Sequence, residues 1–365
     1  MATQVKKILI VNTSGLGVGG ITTHMINYIT ALKSQKDILT DITIVSSMIK
    51  NEEMVDKFEA LGCEIIFLPS RKKKIIKYSI ALNKIMRNER FDILHVHGNS
   101  PTMTLELKIG KKNGIPTRVA HCHNSISNHP FVYRCLSPIF KSSYTKAVAA
   151  SDKAGNWIFG KNNFIVLNNA IFVDKYLFSQ EIRDKYRQLL NLSDSNVAIG
   201  MIGNINEQKN PFFVSKILKQ ISNKDLKNMY FFIVGDGPLK KNFQEKVKNY
   251  KEHISFLGIR NDIPKFLQAL DVLIMPSLWE GLPMILIEAQ AAGVKCIISD
   301  NISKEVKISH QDVISLPLDE KEWSTKLIHQ KINDASTRLS SYYAVKNSPY
   351  NINLGVNLLR KIYDI

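Results

Sequence analysis

Short apolar runs alternate with stretches of helical spacing along the whole chain. In the first half the runs fall at 7–11, 42–45, 64–68, 93–97, 117–121, 146–149 and 163–167, with helical periodicity over about 20–33, 51–61, 74–88 and 102–112. The second half repeats the grammar at 197–202, 230–234, 253–257, 272–275 and 294–298. Runs without polar alternation predict strands buried on both faces, as parallel sheets covered by helices require. The expected fold is therefore α/β, with two Rossmann-like, doubly wound parallel-sheet domains. Turn-forming Asn168-Asn169 divides an amino-terminal domain, 1–168, from a second, 169–346, and a short periodic helix is expected within 347–365. Open parallel sheets bind ligands at the carboxyl ends of their strands, so the site is expected in a central cleft between the domains.

Composition narrows the class. A length of 365 residues with 44% hydrophobic and 22% charged residues describes a folded chain with two or three cores. Four dispersed cysteines form no C-x-x-C pair, which argues against a zinc site and a disulfide framework. The start of the chain, Met1 to Lys7, has no apolar stretch of signal or membrane-spanning length, and a cytoplasmic location is expected. The net charge of +17 predicts attraction to anionic partners. Its densest run, Arg71-Lys72-Lys73-Lys74, leads into a helix whose apolar positions 75, 78, 82, 85 and 86 share a face. Such a helix packs on its sheet while offering its cations to an anionic membrane, a peripheral contact at the inner face of the cell membrane. No basic motif studded with aromatics supports nucleic-acid recognition.

The most informative segment follows the run at 272–275. It reads Ser277-Leu-Trp-Glu280-Gly-Leu-Pro283-Met-Ile-Leu-Ile-Glu288-Ala-Gln-Ala-Ala-Gly293. Pro283 suits a first helical residue, so a strand ends, a loop turns and a helix begins. The start of that helix attracts phosphate through its free N–H groups, with Gly281 and Leu282 beside them. Glu280 and Glu288, on either side, accept hydrogen bonds only, and each fits a pair of adjacent sugar hydroxyls. Two diol binders around a diphosphate site describe a nucleotide sugar. Lys209, in the loop after the run at 197–202, is well placed to neutralise a diphosphate.

The glycine loop Gly15-Leu-Gly17-Val-Gly19-Gly20 has two readings. It matches the dinucleotide fingerprint G-x-G-x-x-G, which would make the protein a nicotinamide-dependent oxidoreductase. That fingerprint needs an acid at the end of the second strand, where Ser46-Ser47 stands instead, with Asp41 at the wrong end. The other reading brings a phosphate or acceptor close to the backbone at Gly19 and Gly20. A non-catalytic binder of nucleotide sugars or nucleic acid is a third alternative for the whole chain. His95, His97, His121 and His123 close two predicted strands, without an obvious third and fourth ligand to complete a metal site; no metal is expected.

At Glu280-x7-Glu288 and the surrounding Ser-Leu-Trp-Glu-Gly-Leu-Pro, the chain resembles the retaining glycosyltransferases of family 4, similar to members that build bacterial exopolysaccharide and capsule. The resemblance implies the GT-B fold, no cofactor beyond the nucleotide diphosphate sugar donor, and transfer of a hexose to a saccharide or polyprenyl-diphosphate-linked acceptor without a metal. It implies that Glu280 holds the donor hexose, Glu288 the ribose, and the amides near Gly281 and Leu282 the sugar and phosphates. His123 resembles the family's histidine near the anomeric carbon. Gly235, in Gly-Asp-Gly-Pro, resembles a cleft wall, and Arg260 a neighbour of the nucleobase. The family's Gly-Arg…Lys pattern is departed from at Asn204, which stands where the arginine would be. The carboxy-terminal tail is implied to cross back onto the amino-terminal domain.

Overall fold

The computed structural model describes residues 5–17, 19–49, 51–123, 130–161 and 163–365, with the side chains of 130–135 and Lys304 left aside. Met1 to Gln4, Val18 of the glycine loop, and Asn124 and Ser125 beside His123 lie outside the described residues, as does the side chain of Cys135. The chain divides into two compact units, one formed by Met1–Ile171 with Ile352–Ile365 and the other by Phe172–Asn351.

The first unit is built on a seven-stranded sheet. Its strands are β1 (Lys6–Asn12), β2 (Thr40–Ser46), β3 (Glu64–Phe67), β4 (Ile93–Gly98), β5 (Thr117–Cys122), β6 (Lys146–Ala149) and β7 (Ile165–Val166), in the order β3-β2-β1-β4-β5-β6-β7. All pairings are parallel. β1 and β4 are buried almost throughout, which explains their unbroken apolar runs. The run expected at 163–167 yields only two strand residues, because β7 is an edge strand with a single neighbour. The final helix begins at Ile352, five residues later than the tail read from the sequence, and packs against the helix Gly20–Lys33.

The second unit carries β8 (Val197–Ile202), β9 (Met229–Val234), β10 (Ile254–Gly258), β11 (Val272–Met275), β12 (Lys295–Ser299) and β13 (Val313–Leu316), in the order β10-β9-β8-β11-β12-β13, again parallel. Its core gathers Phe213, Ile217, Phe231, Phe243, Val272 and Trp323. The sheets reverse direction between β1 and β4 and between β8 and β11. In an open parallel sheet the loops that leave the strands at such a switch point are where a ligand is expected.

The helix Ile75–Asn88 buries Tyr78, Leu82 and Met86. Ile75, by contrast, is exposed, together with Ile76 at 73% and Ile80 at 65%. Of the basic run, Arg71 faces inward: its Nε donates to Glu106 at 2.6 Å, and Glu106 is fully buried and also accepts from the Tyr78 hydroxyl. A buried carboxylate needs such a partner. Lys72, Lys73 and Lys74 remain exposed.

Candidate functional site

In the second unit the switch point brings together the loops after β8 and β11. Gln208 and Leu278 join them through Leu278 N–H to the Gln208 carbonyl, 2.8 Å, and Gln208 Nε2 to the Trp279 carbonyl, 3.1 Å. Asn210, with a left-handed φ of 53°, donates to the Pro276 carbonyl at 3.1 Å. This lacing sets Lys209 Nζ 2.6 Å from Glu280 Oε1, and Ser277 Oγ donates to the same oxygen at 3.2 Å. Lys209 and Glu280 are 16% and 9% exposed at their side chains, so the pair is shielded yet reachable. The sequence assigned the two residues to one site from separate loops, and they are in contact.

Pro283 is the cap rather than the first helical residue; its ψ of 108° is extended, and the helix runs Met284–Ala291. No side chain caps that terminus, which leaves its amides open to an anion. Gly281 is exposed and Leu282 half-buried on the approach to it. Glu288 is partly buried in the second turn, where desolvation lifts its carboxyl from 4.5 to about 7, moderated by a hydrogen bond from Tyr176. Tyr176 lies in the single turn Val173–Tyr176 that opens this unit, and nothing in the sequence marked it.

Asn204 is exposed in the loop after β8, with Gly235 and Gly237 pressed beside that loop. Gly235 has φ 127°, and a Cβ there would sit 2.0 Å from the Gly203 carbonyl oxygen; at Gly237 a Cβ would meet Asn204 Oδ1 at 2.4 Å. Glycine is therefore what lets these two loops close on each other. Arg260 is engaged: its Nε and Nη2 grip Asp262 at 2.8 and 2.6 Å, and its guanidinium lies 5.1 Å from the Phe266 ring centre. Lys209 is thus ion-paired with Glu280, whereas Arg260 is ion-paired with Asp262.

In the first unit, Gly15 has φ 88° and Gly17 N–H donates to Thr22 Oγ1 at 3.4 Å. Gly19 and Gly20 are exposed at the start of the helix Gly20–Lys33, and a Cβ on either would meet nothing within 4 Å. Internal packing does not demand glycine at those two positions. At the far end of β2, Asp41 lies 3.9 Å from Lys7, away from the loop, so the acid of a dinucleotide site is missing.

His95, His97 and His121 lie on β4 and β5 with His123 just beyond, and the register pairs His97 with His121. Period-two spacing turns all four to one sheet face. A fifth histidine, His24 of the covering helix, joins them, with ring centres 4.9 Å from His121 and 5.1 Å from His123. Burial holds all five rings neutral: His24 and His95 fall to about 3, and His97, His121 and His123 well below the usual imidazole value. Nothing in the residue pattern singled out His24, which lies far along the chain from its partners. His97 Nδ1 and His123 Nε2 are 2.9 Å apart. Asn12, Thr13 and the strand ends around His97 complete a polar edge, with Thr13 Oγ1 donating to the His97 carbonyl at 2.9 Å.

Comparison with known proteins adds to this geometry. Residues 18–157 match the family "Glycosyltransferase Family 4", and residues 182–336 match "Glycosyl transferases group 1". The chain is 27% identical to the putative glycosyltransferase EpsF of Bacillus subtilis over 88% of its length and 86% of that protein. It is 32% identical to an Escherichia coli UDP-Gal:alpha-D-GlcNAc-diphosphoundecaprenol alpha-1,3-galactosyltransferase over 62% of each chain. Among solved structures, a Rickettsia africae glycosyltransferase superposes with TM-score 0.81 at 17% identity over 99% of this chain and 98% of its own. HepE of Anabaena in complex with UDP gives 0.79 at 16% identity over 98% of this chain and all of its own. The two parallel-sheet α/β units are those of the GT-B glycosyltransferase fold.

Proposed function

Because the chain belongs to the family 4 glycosyltransferases, we propose that it is a retaining hexosyltransferase of exopolysaccharide or capsule assembly. It takes a hexose from a nucleotide diphosphate sugar and passes it to a saccharide carried on a lipid diphosphate. The E. coli relative, named for a diphosphoundecaprenol acceptor, supports that acceptor class.

The carrying observation is the ion pair of Lys209 with Glu280, 2.6 Å apart at the carboxyl edge of the second sheet. In this pair each neutralises the other. With donor bound, Lys209 turns to the diphosphate and Glu280 is released to accept from hexose hydroxyls, so one exchange of partners loads both ends of the substrate. Glu288, once ionised, accepts from the ribose diol, and the uncapped terminus at Met284 with the amides of Gly281 and Leu282 faces phosphate or sugar. Asn204 and Gly235 border the same crevice, with Arg260 on the nucleobase side. Within the first unit, His123 and the backbone at Gly19 and Gly20 are the candidates for hexose and acceptor contact.

Retention follows from attack on the face the leaving group departs from. The bond from the anomeric carbon to the diphosphate oxygen breaks and one to the acceptor oxygen forms. The acceptor's proton passes to the departing diphosphate. Lys209 and the helix terminus stabilise the charge developing on that group, so no metal is needed at the diphosphate.

The helix Ile75–Asn88 supports peripheral attachment to an anionic membrane at the inner face of the cell membrane. Lys72 to Lys74 and Lys77 would meet headgroups, and exposed Ile76 and Ile80 the acyl boundary. The test of the transfer reading is a melting-temperature screen against uridine, guanosine and adenosine diphosphate sugars. One sugar nucleotide should raise the melting temperature above its bare nucleotide and be consumed with a lipid-linked acceptor; no response to any of them would overturn the reading.

A further inference from the structure

We propose that His24, His97 and His121 form a binding site for one divalent transition-metal ion, of which zinc is the prime candidate, buried beneath the carboxyl ends of β4 and β5. One ring nitrogen from each of the three lies within 4.8 Å of those of the other two. Their other nitrogens are already engaged. His24 Nδ1 is 3.0 Å from Asn169 Oδ1, His121 Nδ1 is 3.0 Å from His95 Nε2, and His97 Nδ1 is 2.9 Å from His123 Nε2.

This leaves Nε2 of each ring as the ligand atom. A second observation points the same way: His121 Nε2 is buried without a hydrogen-bond partner among the described residues, and His121 is 0% exposed. An orphaned buried ring nitrogen is unfavourable unless something else takes its lone pair. Metal-bound histidines characteristically use their other nitrogen to donate to an oriented acceptor, which fixes the tautomer. Here Asn169 accepts from His24 and His95 accepts from His121. His95 Nδ1 in turn lies 2.6 Å from the Tyr363 hydroxyl, so the outer layer is anchored to the last helix.

Tetrahedral coordination with nitrogen at about 2.0–2.1 Å sets ligand atoms about 3.4 Å apart, so the widest pair closes by at most about 1.4 Å on loading. In the proposed site a water molecule would be the fourth ligand. A cavity of about 20 Å³ adjoins the cluster, with His24, His95, His97 and Tyr28 among its walls, and about 10–15 Å³ suffices for one water molecule. Three neutral imidazoles suit Zn²⁺, Co²⁺ or Ni²⁺ rather than the oxygen-seeking Mg²⁺ or Ca²⁺. With the ion bound, His97 would take the tautomer that donates from Nδ1 to His123 Nε2. The proposal stands whether or not the transfer reading holds.

The experiment uses the full chain without an affinity tag, stripped with chelator and titrated with Zn²⁺ and, as a spectroscopic probe, Co²⁺. One equivalent should bind with micromolar or tighter affinity, with Co²⁺ giving the intense visible bands of a four-coordinate site and Zn²⁺ displacing it. His24→Gln and His121→Gln should each weaken binding at least tenfold, and Mg²⁺ should not compete. Absence of stoichiometric Co²⁺ binding to the unmutated chain overturns the proposal, and so does unchanged affinity in both variants. If either variant loses its circular-dichroism signature of folding, the Co²⁺ spectrum of the unmutated chain decides: four-coordinate bands support the site, and six-coordinate bands alone overturn it.

Discussion

At the scale of single residues the second unit holds two carboxyl groups in different settings, Glu280 beside a lysine and Glu288 pushed up by burial. Glu280 is paired with Lys209, so Glu280→Gln should leave the melting temperature within a few degrees of the unmutated protein while lowering transfer by roughly a hundredfold or more, the size of effect expected for a lost electrostatic contact at the reacting sugar. Unchanged turnover would refute the role. Glu288 makes a pH-dependent statement. Its folded value of about 7 lies above the ordinary 4.5, so folding favours its protonated form. Its contribution to stability is fully present below about 4.5 and is lost as pH rises through 7. Glu288→Gln should therefore raise the melting temperature at pH 8 relative to the unmutated chain and change it little at pH 4.5. Affinity for the sugar nucleotide, whose diphosphate bridge does not titrate there, should increase from pH 6 to pH 8 in the unmutated protein and stay flat in the variant, as followed by calorimetry. That Lys209 and Glu280 would meet was legible in the sequence because each stands in a loop directly after a buried strand. Tyr176 and His24 were not, since their partners Glu288 and His121 lie a hundred or so residues away and only packing brings them near.

Among the elements, the strands were the most readable part, because a strand buried on both faces must be apolar throughout. β13 escaped notice: Val313–Leu316 is four residues long at a sheet edge and includes Ser315. The helix Ala335–Lys346 was hidden for another reason, since what it buries includes Arg338, Ser341 and Tyr342 rather than an apolar stripe. Arg338 is satisfied there by the Leu270 carbonyl at 2.6 Å and by buried Asp271, a tertiary arrangement that local pattern does not encode. The loops after β8 and β9 meet through Gly235, and Gly235→Ala should cost about 2 kcal/mol or more of stability by strain and clash, measured by denaturant unfolding, with weaker donor binding alongside. For the helix Ile75–Asn88, the pair Ile76→Glu and Ile80→Glu should abolish sedimentation with anionic vesicles and leave unfolding unchanged, because both side chains are exposed. Equal vesicle binding by the variant would remove this helix as the attachment surface.

For the whole molecule the net charge of +17 sets a further expectation: vesicle binding should fall steeply between 0.1 and 0.5 M salt, as screening shortens the reach of exposed lysines to a few ångströms. The two-sheet architecture followed from strand and helix alternation, and the boundaries read at 168 and 346 lie within a few residues of the division into Met1–Ile171 with Ile352–Ile365 and Phe172–Asn351. The first unit is discontinuous, its last helix Ile352–Tyr363 arriving after the whole of 172–351. On a ribosome adding about 5–20 residues per second, the amino-terminal sheet would wait on the order of ten to forty seconds for that helix. Through this interval the bed later covered by Val356, Leu359 and Ile362 stands open, a natural hold for a chaperone and a point at which nascent chains of this protein are most prone to stick to one another.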